Sequence, residues 1–158
     1  MKLGLSVAAV AVSMLAVPGH SLAQTDEPDS VTYVERAATD AVLDLGAKGD
    51  SAGDVLTFAN DVYDQTNKTK VGTDNGWCIR TVPGKAWECF WTLTLSDGQI
   101  TTQGPFLDSG DSVLAVTGGT GEYSNVGGEM KLHSRDAKGS EYDFTYSIED
   151  NAEEQPQQ

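Results

Sequence analysis

Hydrophobic and polar residues alternate with a period of two over most of this chain, and the clearest case is the run from Val55 to Val62. Leu56, Phe58, Asn60 and Val62 fall on one side and Val55, Thr57, Ala59 and Asp61 on the other, the spacing of a half-buried strand. A second run over residues 86–96 puts Trp87, Cys89, Trp91, Leu93 and Leu95 on one face, opposite Glu88, Thr92 and Thr94. Shorter strand patterns occupy residues 31–34, 41–45, 71–82, 99–103, 112–117, 127–133 and 142–148, separated by turns rich in Gly, Asp and Ser. Residues 35–40 fit a helical turn or a loop, and periodicity does not choose between them. No helical pattern of useful length follows residue 24. Many short strands at even spacing predict a closed antiparallel barrel or a sandwich.

Glycine and proline supply the punctuation. The stretch Gln103-Gly104-Pro105-Phe106-Leu107, with the run from Leu114 to Tyr123 behind it, reads as a strand end, a turn, a short strand and a tight glycine turn. Gly119 and Gly121 have the spacing of a nucleotide loop, but no amphipathic helix follows to hold a phosphate at its N-terminus. Pro83-Gly84 suits the centre of a hairpin turn, since Pro presets φ and Gly tolerates a positive one. Folding the chain about that pair sets Cys78 opposite Cys89, Arg80 opposite Trp87 and Trp77 opposite Phe90.

The two ends change the picture. Lys2, an apolar run over residues 3–17, the Pro18-Gly19 break and Ser21-Leu22-Ala23 have the form of a secretory leader over residues 1–23. The apolar run is too short to span a bilayer, and no later segment is long enough. Residues 24–30 are polar and expected to be loose, and residues 149–158, acidic and then Gln-rich, read as a disordered tail. The expected compartment is therefore periplasmic or extracellular, where the two cysteines, Cys78 and Cys89, form one disulfide.

The net charge of −14 makes nucleic acid and anionic membrane surfaces poor candidates as partners, because binding either needs clustered Lys and Arg. Asp108-Ser109-Gly110-Asp111 is a fragment of a calcium loop without its closing glutamate. Past the leader His133 is the only histidine, so neither a Ser-His or Cys-His pair nor a metal ligand set can be assembled. No metal and no cofactor is expected. Asn60, a polar amide on an apolar strand face, is either a satisfied core amide or a ligand-facing group.

Gly53-Asp54, Phe58-Ala59-Asn60, Val71-Gly72, Gly76-Trp77-Cys78, Gln103-Gly104-Pro105-Phe106 and the run from Ala115 to Gly121, in this order, resemble the allene oxide cyclase family and the related dirigent proteins. The resemblance covers residues 31–148 and implies an all-β, eight-stranded antiparallel β-barrel with a hydrophobic cavity, in a family whose members assemble as homodimers or homotrimers. Asn60 matches the asparagine that holds a water on the epoxide oxygen in plant allene oxide cyclases, and Cys78 matches a cysteine that lines the cavity. Phe106 stands where the family carries a tyrosine, and the glutamate and asparagine of the N-terminal strand align with Thr32 and Val34. Opening an epoxide needs donors and a carboxylate aimed into a dry cavity. These replacements argue against allene oxide cyclase activity itself.

The expected function is an exported barrel that binds a hydrophobic small molecule and steers its cyclisation, isomerisation or coupling by imposing a reactive shape. Asn60, Asp40 and Glu35 are the candidate catalytic residues, with Tyr33, Phe58, Cys78, Trp87, Trp91 and Phe106 as candidate ligand contacts. Most strand aromatics fill a core, so the alternative is a non-catalytic carrier or interaction module.

Overall fold

The computed structural model describes residues 30–151. The leader at 1–23, the segment 24–29 and the tail from 152 onward lie outside the described residues. Among the described residues nine strands form one sheet: β1 (Ser30–Arg36), β2 (Ala41–Leu43), β3 (Val55–Tyr63), β4 (Lys70–Val82), β5 (Ala86–Leu95), β6 (Gly98–Leu107), β7 (Ser112–Gly121), β8 (Val126–Ser134) and β9 (Glu141–Asp150). From β3 to β9 each strand pairs antiparallel with the next. Strand β1 then pairs with β9 along its whole length and with the far end of β3, Val34 opposite Tyr63 and Arg36 opposite Asp61. That second pairing closes the sheet into a barrel and removes its free edges.

The barrel has eight staves because β2 is not an independent one. It pairs with β3 at Val55–Thr57, while β1 pairs with β3 at Asp61–Tyr63, so β1 and β2 lie one after the other along the same edge. Residues 37–40 are the break between them. Glu35 and Arg36 continue β1, and no helical turn forms there.

The predicted hairpin is present with the predicted register. Lys85 N donates to Val82 O at 3.0 Å across Pro83-Gly84, and Gly84 has φ of +66°. Cys78 faces Cys89, Arg80 faces Trp87 and Trp77 faces Phe90. A register shift between Arg80 and Val82 intervenes, and the bridged Cys78 and Cys89 have Cα atoms 4.0 Å apart, near the closer of the two antiparallel pair spacings.

One part of the glycine-rich stretch departs from expectation. Gly104, Pro105 and Phe106 are not a turn but the last part of β6, paired with Cys89, Glu88 and Trp87. Likewise Gly118 to Gly121 continue β7 beyond a bulge, where the register shifts between Thr101 and Thr102 and Gly118 takes φ of +143°. Glycines here serve bulged strands, a use that their clustering shares with turns. Strand β9 also runs to Asp150, paired with Val126, two residues past the predicted end of the barrel.

The inward faces of the staves meet in one core that includes Leu56, Trp91, Leu93, Ile100, Met130, Phe144 and Tyr146. Aromatic rings organise it: Trp91 stacks on Phe144 with centroids 5.5 Å apart and meets Phe58 edge-on at 6.0 Å. Gly76 makes this possible, because a Cβ there would collide with Trp91 and Phe58. At the end of the barrel that carries the β4–β5, β6–β7 and β8–β9 turns, this packing thins and a cavity opens.

Candidate functional site

Strand alternation delivers the side chains. On β3 the inward positions are Leu56, Phe58, Asn60 and Val62, as the periodicity predicted, and on β4 they are Asp74, Gly76, Cys78 and Arg80. On β1 the inward face carries Tyr33 and Glu35. Thr32 instead meets Thr145 hydroxyl to hydroxyl at 2.9 Å on the other face, which Val34 shares. The acid that enters the barrel from β1 is therefore Glu35, one position beyond the aligned pair.

Asn60 sits 1 % exposed at the centre of a polar knot. Its Nδ2 donates to Glu35 Oε1 at 2.7 Å and to Asp40 Oδ1 at 2.8 Å. Its Oδ1 accepts from the backbone N–H of Ala38 at 3.0 Å, from that of Thr39 at 2.9 Å and from the Thr39 hydroxyl at 2.9 Å. Both donors and the carbonyl are thus in use, and the amide fastens the 37–40 break to β3 while aiming two carboxyl groups.

Behind this knot lies a third acid that the sequence reading did not single out. Asp74, directly across from Asn60 in the β3–β4 pair, is completely buried, and neither carboxyl oxygen accepts a well-formed hydrogen bond from a fixed donor. It faces the Glu35 carboxyl, and two acids can bond to each other only when one keeps a proton. Burial drives the Glu35 pKa well above the usual carboxylate range, the Asp74 and Asp40 charges push it further, and the Asn60 amide opposes them. Burial also pushes Asp74 up to about 7, against the hydrogen bond it receives from Glu35. The two carboxyl groups therefore share a proton and titrate as a unit.

Glu35 and Asp40 form the polar side of a cavity of ≈ 30 Å³, whose apolar side comprises Leu56, Phe58, the Cys78–Cys89 bridge, Trp91, Phe106, Leu132, Tyr142 and Phe144. Outside it, between the β6–β7 and β8–β9 turns, lies a vestibule of ≈ 420 Å³ that shares Phe106, Leu132 and Tyr142 with the cavity. Phe106 and Tyr142 meet edge to face at 5.9 Å between the two spaces. The hydroxyl of Tyr142 is a weak acid here, its pKa pushed up to about 12 by burial and by the charges of Glu35, Asp40 and Asp136.

Of the residues singled out in the sequence, Glu35, Asp40, Phe58, Cys78, Trp91 and Phe106 come together around this cavity, with Asn60 buried behind the acids. Tyr33 and Trp87 do not line it. Tyr33 is partly buried and packs edge-on against Tyr146 at 6.1 Å, near Tyr123 and Asp97 in the turns at the other end of the barrel, and Trp87 lies under the Arg80 guanidinium at 3.9 Å. Arg80 is in turn held by Asp108 and Asp50. Beyond Asp74, the unforeseen members are Leu56, Leu132, Tyr142 and Phe144, and each could have been found by carrying the period of two inward from its strand. Among the described residues no group of three or more His, Cys, Asp or Glu is disposed to hold a metal ion.

The model of the allene oxide cyclase family matches residues 30–147. The chain belongs to the allene oxide cyclase family. Among solved structures, this family member is similar to a pyocyanin demethylase, with 26% identity, a TM-score of 0.66 and coverage of 77% of this chain and 100% of the other. It shares its fold with a pterocarpan synthase dirigent protein (16% identity, TM-score 0.59, 79% and 95% covered). An exo-specific intermolecular Diels-Alderase shares it too (14% identity, TM-score 0.62, 76% and 96% covered). Barrels of this kind thus occur in enzymes of different chemistry and in dirigent proteins.

Proposed function

We propose that this family member is an extracytoplasmic barrel that holds a small aromatic molecule at its open end, with the hydrophobic body against Phe58, Trp91, Phe106 and Tyr142 and a polar atom turned to Glu35 and Asp40. The carrying observation is the composition of the cavity wall: aromatic and aliphatic side chains all round, and two acids on one side. Few, convergent polar groups in an apolar recess are the usual make-up of a small-molecule site. The inner cavity is small, so the ligand occupies cavity and vestibule together, passing the Phe106–Tyr142 contact. An oxidising compartment accords with the Cys78–Cys89 bridge.

Holding the ligand is the function best supported. A second reading, that the barrel also steers a cyclisation, isomerisation or coupling of what it holds, is favoured by one observation: Glu35 lines the cavity beside apolar side chains, where burial raises its pKa well above the usual carboxylate range. A carboxylic acid kept neutral near pH 7 can act as a general acid. The name of the similar demethylase describes removal of a methyl group from pyocyanin, which makes pyocyanin a reasonable first substrate to assay.

The test is titration with N-phenyl-1-naphthylamine, a neutral dye that fluoresces in apolar surroundings. Saturable binding that is lost in a folded Leu132→Trp variant, which fills the wall shared by both spaces, supports the reading. A dye that does not saturate, or binds Leu132→Trp equally well, contradicts it.

A further inference from the structure

Polar atoms sealed in the barrel core gather at a place that the ligand cavity does not reach. Among the described residues six buried side-chain atoms make no well-formed hydrogen bond. One of them, Arg80 Nε, is answered by its ion pair with Asp50 Oδ1 at 2.6 Å. The other five belong to Asp74, Trp91, Thr102 and Tyr146, each at most 2 % exposed. Buried polar groups almost always find a partner, so five orphans in one barrel call for one.

The four residues meet. Trp91 on β5 lies directly opposite Thr102 on β6 and Gly76 on β4, and Asp74 is the next inward position along β4. Tyr146 reaches in from β9, across the barrel, and its hydroxyl lies beside the Thr102 hydroxyl and the Trp91 indole N–H, within the field of Asp74. Polar groups that are neighbours without bonding directly in good geometry are what a bridging molecule leaves behind. The proton shared with Glu35 occupies one Asp74 oxygen and leaves the other able to accept.

Donor and acceptor chemistry selects the bridge. The indole N–H of Trp91 can only donate, so the occupant must accept there, which no metal ion or ammonium can do. The Asp74 oxygen can only accept from it, so the occupant must also donate, which no simple anion can do. The hydroxyls of Thr102 and Tyr146 serve in either sense. A water molecule satisfies all four, accepting from Trp91 and one hydroxyl and donating to Asp74 and the other hydroxyl.

We infer that the barrel core holds one ordered water bound by Trp91 Nε1, Thr102 Oγ1, Tyr146 OH and a carboxyl oxygen of Asp74. Asp74, Thr102 and Tyr146 do not line the ligand cavity, so this site stands apart from the ligand-holding reading. It nevertheless serves the cavity wall. The water completes a hydrogen-bonded chain from Glu35 through Asp74 to Trp91, and both ends of that chain face the cavity. Phe144 stacks on the face of the Trp91 ring while the water pins its polar edge, which fixes the ring in its plane as well as against its neighbour.

Two measurements test this. A crystal structure of the protein is expected to show an isolated density peak about 2.7–3.2 Å from Trp91 Nε1, from an Asp74 oxygen and from at least one of the two hydroxyls. In solution, relaxation dispersion of water ¹⁷O counts long-lived water oxygens and is blind to exchanging hydroxyl protons. The doubly substituted chain with Thr102→Val and Tyr146→Phe, which removes two of the four partners, should lose about one such water with its far-UV circular dichroism unchanged. If that chain does not fold, the near-isosteric Thr102→Val alone is read in the same way. Direct hydrogen bonds from Trp91 Nε1 or the Tyr146 hydroxyl to Asp74, with no density between them, overturn the inference, and so does a folded variant that keeps the wild-type water count.

Discussion

Asn60 donates to Glu35 Oε1 at 2.7 Å inside the barrel, and this bond joins two staves, β3 and β1, that are 25 residues apart in the chain. The same amide reaches Asp40 and the backbone of the 37–40 break. Asn60 is therefore a strut for the acids. Removing it leaves the buried Glu35 without its donor, a cost of about 1–3 kcal/mol, and frees the backbone N–H groups of Ala38 and Thr39, which are exposed enough for water to replace the lost bonds at a smaller cost. Asn60→Ala is expected to lose about 2–4 kcal/mol in urea unfolding, and Asn60→Asp, which adds an acid among acids, to lose at least as much.

The Glu35–Asp74 pair makes stability fall as pH rises. Both folded-state pKa values are raised, Asp74 to about 7, so between the ordinary carboxylate range and about pH 7 the folded state binds protons that the unfolded chain has released. Their contribution is full below the unfolded pKa and is lost as pH climbs through the folded one, at up to about 1.4 kcal/mol per pH unit for each proton. Asp74→Asn removes one of these acids and gives Glu35 an amide partner. Its urea midpoint should rise relative to wild type between pH 5 and pH 8. A constant difference across that range would show that Asp74 is not a protonated member of the pair.

The disulfide closes a short loop, with 11 residues of separation between Cys78 and Cys89. Constraining a loop of that size stabilises by about 3 kcal/mol in the chain-entropy model. Both cysteines also line the cavity. The paired replacement Cys78→Ala with Cys89→Ala is expected to lower unfolding free energy by about 2–3 kcal/mol, measured in urea, and to weaken dye binding in the same samples.

Phe106 and Tyr142 separate cavity from vestibule. Phe106→Ala should merge the two spaces and speed association of N-phenyl-1-naphthylamine in stopped-flow mixing, at a stability cost below the about 3–5 kcal/mol of a fully buried Phe, since Phe106 is only partly buried. Unchanged association would mean that ligand enters elsewhere.

Local signals made much of this molecule legible. The turn at Pro83-Gly84, together with the register shift between Arg80 and Val82, sets Cys78 opposite Cys89. Alternation on β3 likewise put Asn60 on the inner face. What Asn60 bonds to was not readable, since its partners come from residues 35–40, across a closure of β1 on β3 that no local pattern encodes. The aligned pair Thr32 and Val34 missed Glu35 by one position, and a slip of one residue exchanges the two faces of a strand. Gly104 and Gly118 looked like turns because glycine marks turns and bulges alike, and only their pairing with β5 and β6 tells the two apart.

The three tryptophans offer the most direct test of the account, because they report from different places. Trp91 lines the cavity, Trp87 lies under Arg80, and Trp77 is 46% exposed and stands beside Phe90 in the β4–β5 pair. Indole N–H resonances in a ¹⁵N-labelled sample titrated with N-phenyl-1-naphthylamine should show a saturating shift at Trp91 and little change at Trp77. A shift confined to Trp77, with Trp91 unmoved, would place binding on the outside of the barrel and contradict the site described here.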